Sequence, residues 1–199
     1  MWESLIVVAV IAVALAVIAG KFPFGKSRSS ESTEPEAVKD NAKLAKSSLP
    51  INRCQTARVT HVIDGDTFVV ATSTQEIRIR LGAIDSPEKG QFWGDAATLG
   101  LMDLIGGRRI AFEGHAIDNC GRTIATVYVR DVDNDEWTDV NARMVMCGHA
   151  WVVRRDYKYL PRQRKVELNR LERWAQRKRS GLWKAHSRVS RWQAPSGQD

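Results

Sequence analysis

Ile63-Asp64-Gly65-Asp66-Thr67 separates two short apolar-rich runs, residues 57–63 and 67–71, and a second polar separator, residues 72–75, leads into residues 76–81. Asp-Gly-Asp and Thr-Ser-Thr-Gln both have turn chemistry, because Gly relieves backbone restriction and Asp and Thr side chains hydrogen-bond nearby backbone. The third run alternates, with Ile77 and Ile79 on one side and Arg78 and Arg80 on the other. Such a period of two belongs to a half-buried strand. Three strands joined by tight turns therefore open the folded unit.

Beyond them the pattern changes. Residues 95–105 place Ala96, Leu99 and Met102 at helical spacing, and Gly106-Gly107 stops the run. Residues 109–115 and 123–129 read as two more strands. A second helix is expected over 139–147, capped by Asp139 and ended by Gly148. A third is expected over 161–179, with Leu168, Leu171 and Ala175 inward and Ser180-Gly181 closing it. Five short strands with three helices predict an α+β, mainly β domain: a small barrel with appended helices.

The chain has 199 residues, enough for one ordinary domain plus a tail or anchor. Residues 5–19 are uninterruptedly apolar and about 23 Å long as a helix, slightly short of a ~30 Å hydrocarbon core. Trp2, Phe22 and Phe24 can extend the run at the two interfaces. Residues 1–24 are thus expected to be a membrane anchor, or a signal segment cleaved after Val17 and Ala19. No Lys or Arg precedes the run, which favours the anchor. Lys21, Lys26 and Arg28 follow it, and the positive-inside rule points to a cytoplasmic domain. A large domain can nevertheless translocate against so small a bias, so the side stays open, and cleavage would give a secreted or periplasmic protein. Residues 25–50, rich in Ser, Glu, Lys and Pro, read as a flexible tether. The folded domain is expected over 51–185 and a frayed tail over 186–199.

Formal charge is +7, and its placement is uneven: residues 154–191 carry fourteen Lys or Arg against three acids. A basic run of this kind is either a solvated helix face or a surface that attracts phosphate. The carboxylates lie elsewhere, in Asp64-Gly65-Asp66 and Asp85-Ser86-Pro87-Glu88. A hard cation needs oxygen ligands, and Asp66 and Asp85 on adjacent strand ends can supply two. Glu88 can orient and deprotonate a water. Arg80 and Arg122 stay charged and can fork onto two phosphate oxygens as charge develops on phosphorus. Together these are the requirements of phosphodiester hydrolysis.

In order, Ile63-Asp64-Gly65-Asp66-Thr67, Arg80, Asp85-Ser86-Pro87-Glu88, Gly121-Arg122 and the Gly181-Leu182-Trp183 ending resemble the thermonuclease family of staphylococcal-nuclease-like domains. The resemblance spans about residues 57–184. It implies a five-stranded OB-type barrel with three helices, and a calcium-dependent nuclease of DNA and RNA that breaks the bond on the 5′-oxygen side of phosphorus. Asp66 and Asp85 would bind Ca2+ directly. Ser86, where the family often has Thr, would offer its backbone carbonyl. Glu88 falls at the position of the proposed general base, and Arg80 and Arg122 match the two phosphate-binding arginines. Asn119-Cys120 replaces a Lys-Tyr pair found in other members. Arg154-Arg155-Asp156 stands where the family has nucleotide-lining aromatics, with Tyr157 and Tyr159 slightly displaced. Arg154, Arg155, Tyr157, Lys158 and Tyr159 are accordingly the expected nucleic-acid contacts. A domain of this kind could instead bind nucleic acid without cutting it, but a pure binder has no need of Glu88.

Other readings are weaker. Asp131-Val132-Asp133-Asn134-Asp135 imitates the start of an EF-hand loop, yet Glu136 and Ala142 occupy positions where that loop needs Gly and Glu. It is expected to be a polar hairpin turn. Asp64 is expected to support the turn around Asp66. His115, Cys120, Cys147 and His149 lack a zinc spacing. Any disulfide among Cys54, Cys120 and Cys147 would require export. Trp137, Trp151 and Trp174 are expected in the core or between helices.

Overall fold

The computed structural model describes residues 53–131 and 136–184, with the side chain of Tyr157 left aside. The expected anchor, tether and tail, and the tip of the acidic hairpin, lie outside the described residues. Among the described residues no helix is long and apolar enough to cross a membrane.

In chain order the strands are β1 (Gln55–Val62), β2 (Thr67–Ala71), β3 (Glu76–Leu81), β4 (Ile84–Asp85), β5 (Arg109–Ile117), β6 (Thr123–Arg130), β7 (Trp137–Asp139) and β8 (Trp151–Val152). The helices are α1 (Gly94–Ile105), α2 (Val140–Met146) and α3 (Arg162–Lys178), with 3-10 turns at Arg154–Tyr159 and Gly181–Lys184. Antiparallel pairing runs β3-β2-β1-β5-β6, and a parallel pairing of β3 with β6 closes the ring. This is the five-stranded OB-type barrel. Register irregularities between Val59 and His61 in β1, and between Gly114 and Ala116 in β5, mark the bends that let a twisted sheet curl shut.

Alternation fills the interior. Val59, Phe68, Val70, Ile79, Leu81, Ile110, Phe112 and Val127 are buried together, while Arg78 and Arg80 leave the barrel on the opposite side of β3. Leu101 and Ile105 of α1 and Leu168 and Leu171 of α3 join the same core. Each fully buried side chain of this size contributes about 1.5–3 kcal/mol. Asn141 of α2 secures the closure from within. Its carboxamide accepts from Val127 N–H at 3.0 Å and donates to the carbonyls of Gly82 at 3.0 Å and Ala125 at 3.1 Å. Asp139 caps α2 by accepting from Ala142 N–H at 2.8 Å, and its other oxygen pairs with the buried Arg164 of α3 at 2.5 Å.

The expected five barrel strands and three helices are all present, with ends shifted by one to two residues at most positions. The short strands β4, β7 and β8 are additional. β4 and β8 are two residues each and form their own ribbon, too short for any periodicity to reveal.

Candidate active site

Asp64 organises the first turn. Its Oδ1 accepts the N–H groups of Asp66 at 2.9 Å and Thr67 at 2.7 Å, which is the supporting role expected of it. The turn packs so closely on its neighbours that a Cβ at Gly65 would stand 2.1 Å from Ser86 Oγ and 2.8 Å from Ala97 Cβ. Only glycine fits that approach.

The Asp66 side chain is almost wholly buried. Oδ1 accepts from Thr67 Oγ1 at 2.8 Å, and Oδ2 accepts from the Ser86 backbone N–H at 3.1 Å. Arg80, paired in register with Thr67, reaches both acids: its Nη2 lies 2.5 Å from Asp85 Oδ1 and 3.5 Å from Asp66 Oδ2. Burial pushes the Asp66 and Asp85 carboxyls above the usual range, and Arg80 opposes that rise in both. Burial also works against the charge on Arg80, but Asp66 and Asp85 outweigh it and hold the guanidinium more firmly protonated than usual.

Arg122 comes to the same place from the opposite hairpin. Asp118 Oδ2 accepts from its Nε at 2.7 Å, and its Nη1 lies 3.5 Å from Thr67 Oγ1. Asp118 Oδ1 also accepts the backbone N–H groups of Cys120 and Arg122, each at 2.9 Å. Desolvation raises the Asp118 carboxyl, but these hydrogen bonds prevail and bring it below its ordinary value.

Glu88 is exposed, and its backbone N–H donates to Gln91 Oε1 at 2.8 Å. Its carboxyl is pushed up by burial first and then by Asp64 and Asp66, while Arg80 and Arg122 pull it down. It therefore shares one electrostatic field with Arg80, Arg122, Asp64 and Asp66.

A divalent cation fits this donor set. Two carboxylates stand together, lifted by burial, with a guanidinium as their present counter-charge, and that is the excess of oxygen charge a hard cation relieves. Among the described residues no three His, Cys, Asp or Glu side chains converge on one point. Any further oxygen ligands would therefore have to come from backbone carbonyls or water.

The expected nucleic-acid contacts occupy the 3-10 turn Arg154–Tyr159 and divide. Arg155 and Lys158 are exposed. Arg154 is tied to α3, with Nη2 2.6 Å from Glu172 Oε2 and Nε 3.1 Å from Asn169 Oδ1. Tyr159 is half-buried and stacks on His115, with ring centres 4.7 Å apart and planes 17° from parallel. Its hydroxyl, near Gly82, is pushed up to about 12 by burial. Of Tyr157 only the backbone is described.

Sequence reasoning did not assign roles to Thr67, Asp118 or Gln91. Asp118-Asn119-Cys120-Gly121 carries a usable signal, since an Asp three residues before a Gly is a common way to close a tight turn. No disulfide joins Cys54, Cys120 and Cys147; Cys120 is exposed and the other two are half-buried.

A closed OB-type barrel with acids and arginines gathered at one mouth defines a domain suited to phosphodiester substrates. Residues 78–185 match the family described as staphylococcal nuclease homologues. A micrococcal nuclease of Shigella flexneri is 34% identical over 137 residues, 67% of this chain and 76% of that protein. Protein ParB of Escherichia coli is 36% identical over 67% of this chain and 75% of its own length. An endonuclease of Escherichia coli O157:H7 is 36% identical over 68% of this chain and 81% of its own. The chain belongs to the staphylococcal nuclease family.

Proposed function

We propose that this protein is a calcium-dependent nuclease that hydrolyses phosphodiester bonds of DNA, RNA or both. The observation that carries the reading is the convergence of Asp66, Arg80, Asp85 and Arg122 at one barrel mouth, with Glu88 in their field. Family membership and the nuclease names of its relatives agree with it.

Asp66, Asp85 and the Ser86 carbonyl would hold the cation. When bound, it supplies charge neutralisation for the phosphate oxygens and lowers the pKa of a water. Glu88 accepts the proton of the attacking water, and a carboxyl whose pKa is lifted toward the working pH is the better acceptor. Arg80 is bonded to the same carboxylates. Held beside them, its guanidinium offers a permanently charged fork to the phosphate oxygens. Arg122, fixed by Asp118, meets the substrate from the other side, and one such arginine can contribute about 10³-fold or more in related phosphoryl chemistry. The P–O5′ bond breaks as the new P–O bond forms, and the leaving oxygen takes up a proton.

We also infer that residues 1–24 tether the nuclease to a membrane. The apolar run over 5–19 supports this. Recovery of the chain in the membrane fraction after alkaline extraction checks it, and release into the soluble fraction overturns it.

The nuclease test incubates the full chain with single- and double-stranded DNA and with RNA, in calcium, in magnesium and in chelator, beside Glu88→Gln. Calcium-dependent cleavage lost in the variant is the expected result. Binding without cleavage under every metal overturns the reading.

A further inference from the structure

We propose that the cavity walled by Phe92, Trp151 and Trp183 is a base-binding site, which receives the nucleobase of a nucleotide adjoining the scissile phosphate. The proposal rests on the nuclease reading for its substrate and on separate observations for its place and chemistry.

The cavity holds about 550 Å³. That is within the roughly 300–1,000 Å³ of ordinary ligand sites. It begins where the active site ends. Pro87, in its wall, is flanked by Ser86 and Glu88. Trp151 is the register partner of Asp85 in the β4–β8 ribbon. Side chains of such partners share a face, with Cβ atoms about 4.5–5.5 Å apart. An indole thus stands one residue's width from a candidate metal ligand, a separation that neighbouring nucleotides span.

Its chemistry is that of a flat anionic guest. Three aromatic rings line the wall, and Phe92 leaves 44% of its surface in solvent at the rim. The carboxylate in the wall, Glu172, is already committed. It accepts from Val152 N–H at 2.9 Å and from Arg154 at 2.6 Å. Arg173, also in the wall, forms no ion pair among the described residues. The lining is therefore aromatic with surplus positive charge, which suits a base on a phosphate backbone better than a neutral apolar ligand. Trp151 also escapes the role of a core residue: it is half-buried, at the cavity wall.

The test uses the full chain in chelator, so that nothing is cut, with oligothymidylates of two to six nucleotides and abasic strands of the same lengths. Affinity for the bases should rise in a step at one length. Phe92→Ala should remove that step, weakening binding about 5- to 100-fold, in line with one lost base stack. Phe92→Ala should not weaken the abasic strands, where no base can stack. Trp151→Leu should behave likewise. Should it unfold, the rim residue Phe92 carries the comparison. In calcium, Phe92→Ala should raise KM on the longer strands and leave kcat within about threefold, since a contact common to ground and transition states acts on binding. Equal affinities of wild type and Phe92→Ala for every base-bearing strand overturn the site, as they would if another part of the chain filled it. Equal losses with abasic strands also overturn it. Cleavage by the wild type is scored apart. Cutting with no effect of Phe92→Ala sinks the site alone. Base-dependent binding without cutting keeps the site and sinks the nuclease reading.

Discussion

Asp118 holds Arg122 by both ends: Oδ1 accepts its backbone N–H at 2.9 Å and Oδ2 accepts its Nε at 2.7 Å. The guanidinium is thereby aimed at the barrel mouth before any substrate arrives, with Nη1 facing Thr67. Asp118→Ala should lower kcat by about 10- to 100-fold, the scale expected when a catalytic group drifts by an ångström or so. Stability should fall by about 1–2 kcal/mol, because the partly solvated pair adds little but the Cys120 and Arg122 N–H groups lose their acceptor. Steady-state kinetics on single-stranded DNA, beside a thermal melt, separates the two effects. Unchanged turnover would mean that Arg122 needs no such clamp.

Gly65 is the counterpart in the first turn. Gly65→Ala drives a methyl to 2.1 Å from Ser86 Oγ and 2.8 Å from Ala97 Cβ, so the Ser86 hydroxyl must rotate and the turn or its neighbours must still give way. Overpacking of this kind costs about 1–3 kcal/mol. The Asp66–Ser86 contact should be displaced with it, and cleavage should fall. Gly65→Ala combined with Ser86→Ala removes the nearest atom but leaves Ala97 Cβ at 2.8 Å, so urea midpoints should show partial recovery. A double variant no more stable than the single one rules out the Ser86 clash as the cause.

The barrel and the acids at its mouth were legible in the sequence for a common reason. Turn residues such as Asp64-Gly65-Asp66 and the alternation through Ile77 and Ile79 are local signals, and Arg80 ends up at the mouth because it sits at a strand end. What was illegible depends on contacts between distant segments. The β4–β8 ribbon pairs residues 84–85 with 151–152, and two-residue strands have no period to read. Trp151 was expected, with Trp137 and Trp174, in the core or between helices, since composition cannot tell such an indole from one in a cavity wall. Trp174 does pack against the core. Tyr159, expected as a nucleic-acid contact from the family resemblance, also stacks on His115 of β5, a contact far away in sequence that no local pattern announces.

Asn141 is a case where polarity inside the barrel is structural. Its three hydrogen bonds join α2 to both sides of the β3–β6 closure. Asn141→Ala leaves Val127 N–H and two carbonyls without that partner, at about 1–3 kcal/mol for each group left unsatisfied. Hydrogen exchange at Val127 should accelerate more than exchange in α3. Uniform acceleration throughout the domain would indicate global destabilisation instead of a loosened seam.

His149 should make stability depend on pH. Trp93 donates its indole N–H to His149 Nδ1 at 3.2 Å, so that nitrogen must be unprotonated and the ring neutral. Burial is the main reason its pKa is lowered, Arg143 adds to the shift, and Asp103 opposes it. The space beside Nε2 is confined, since a Cβ on Gly100 would meet it at 2.6 Å. In the unfolded chain the imidazole titrates near its ordinary 6.5. Below that value the unfolded state binds the proton first, so stability is fully present above about pH 7 and declines as pH falls through 6.5 toward the folded value. His115, also lowered chiefly by burial, adds a slope of the same sign. The raised carboxyls of Asp66, Asp85 and Glu88 act oppositely at lower pH, because their protonation favours the folded chain. His149→Gln should therefore flatten, without abolishing, the decline between pH 7 and pH 5 in urea midpoints. Parallel curves for the two proteins would show that the Trp93–His149 hydrogen bond survives protonation in some other form.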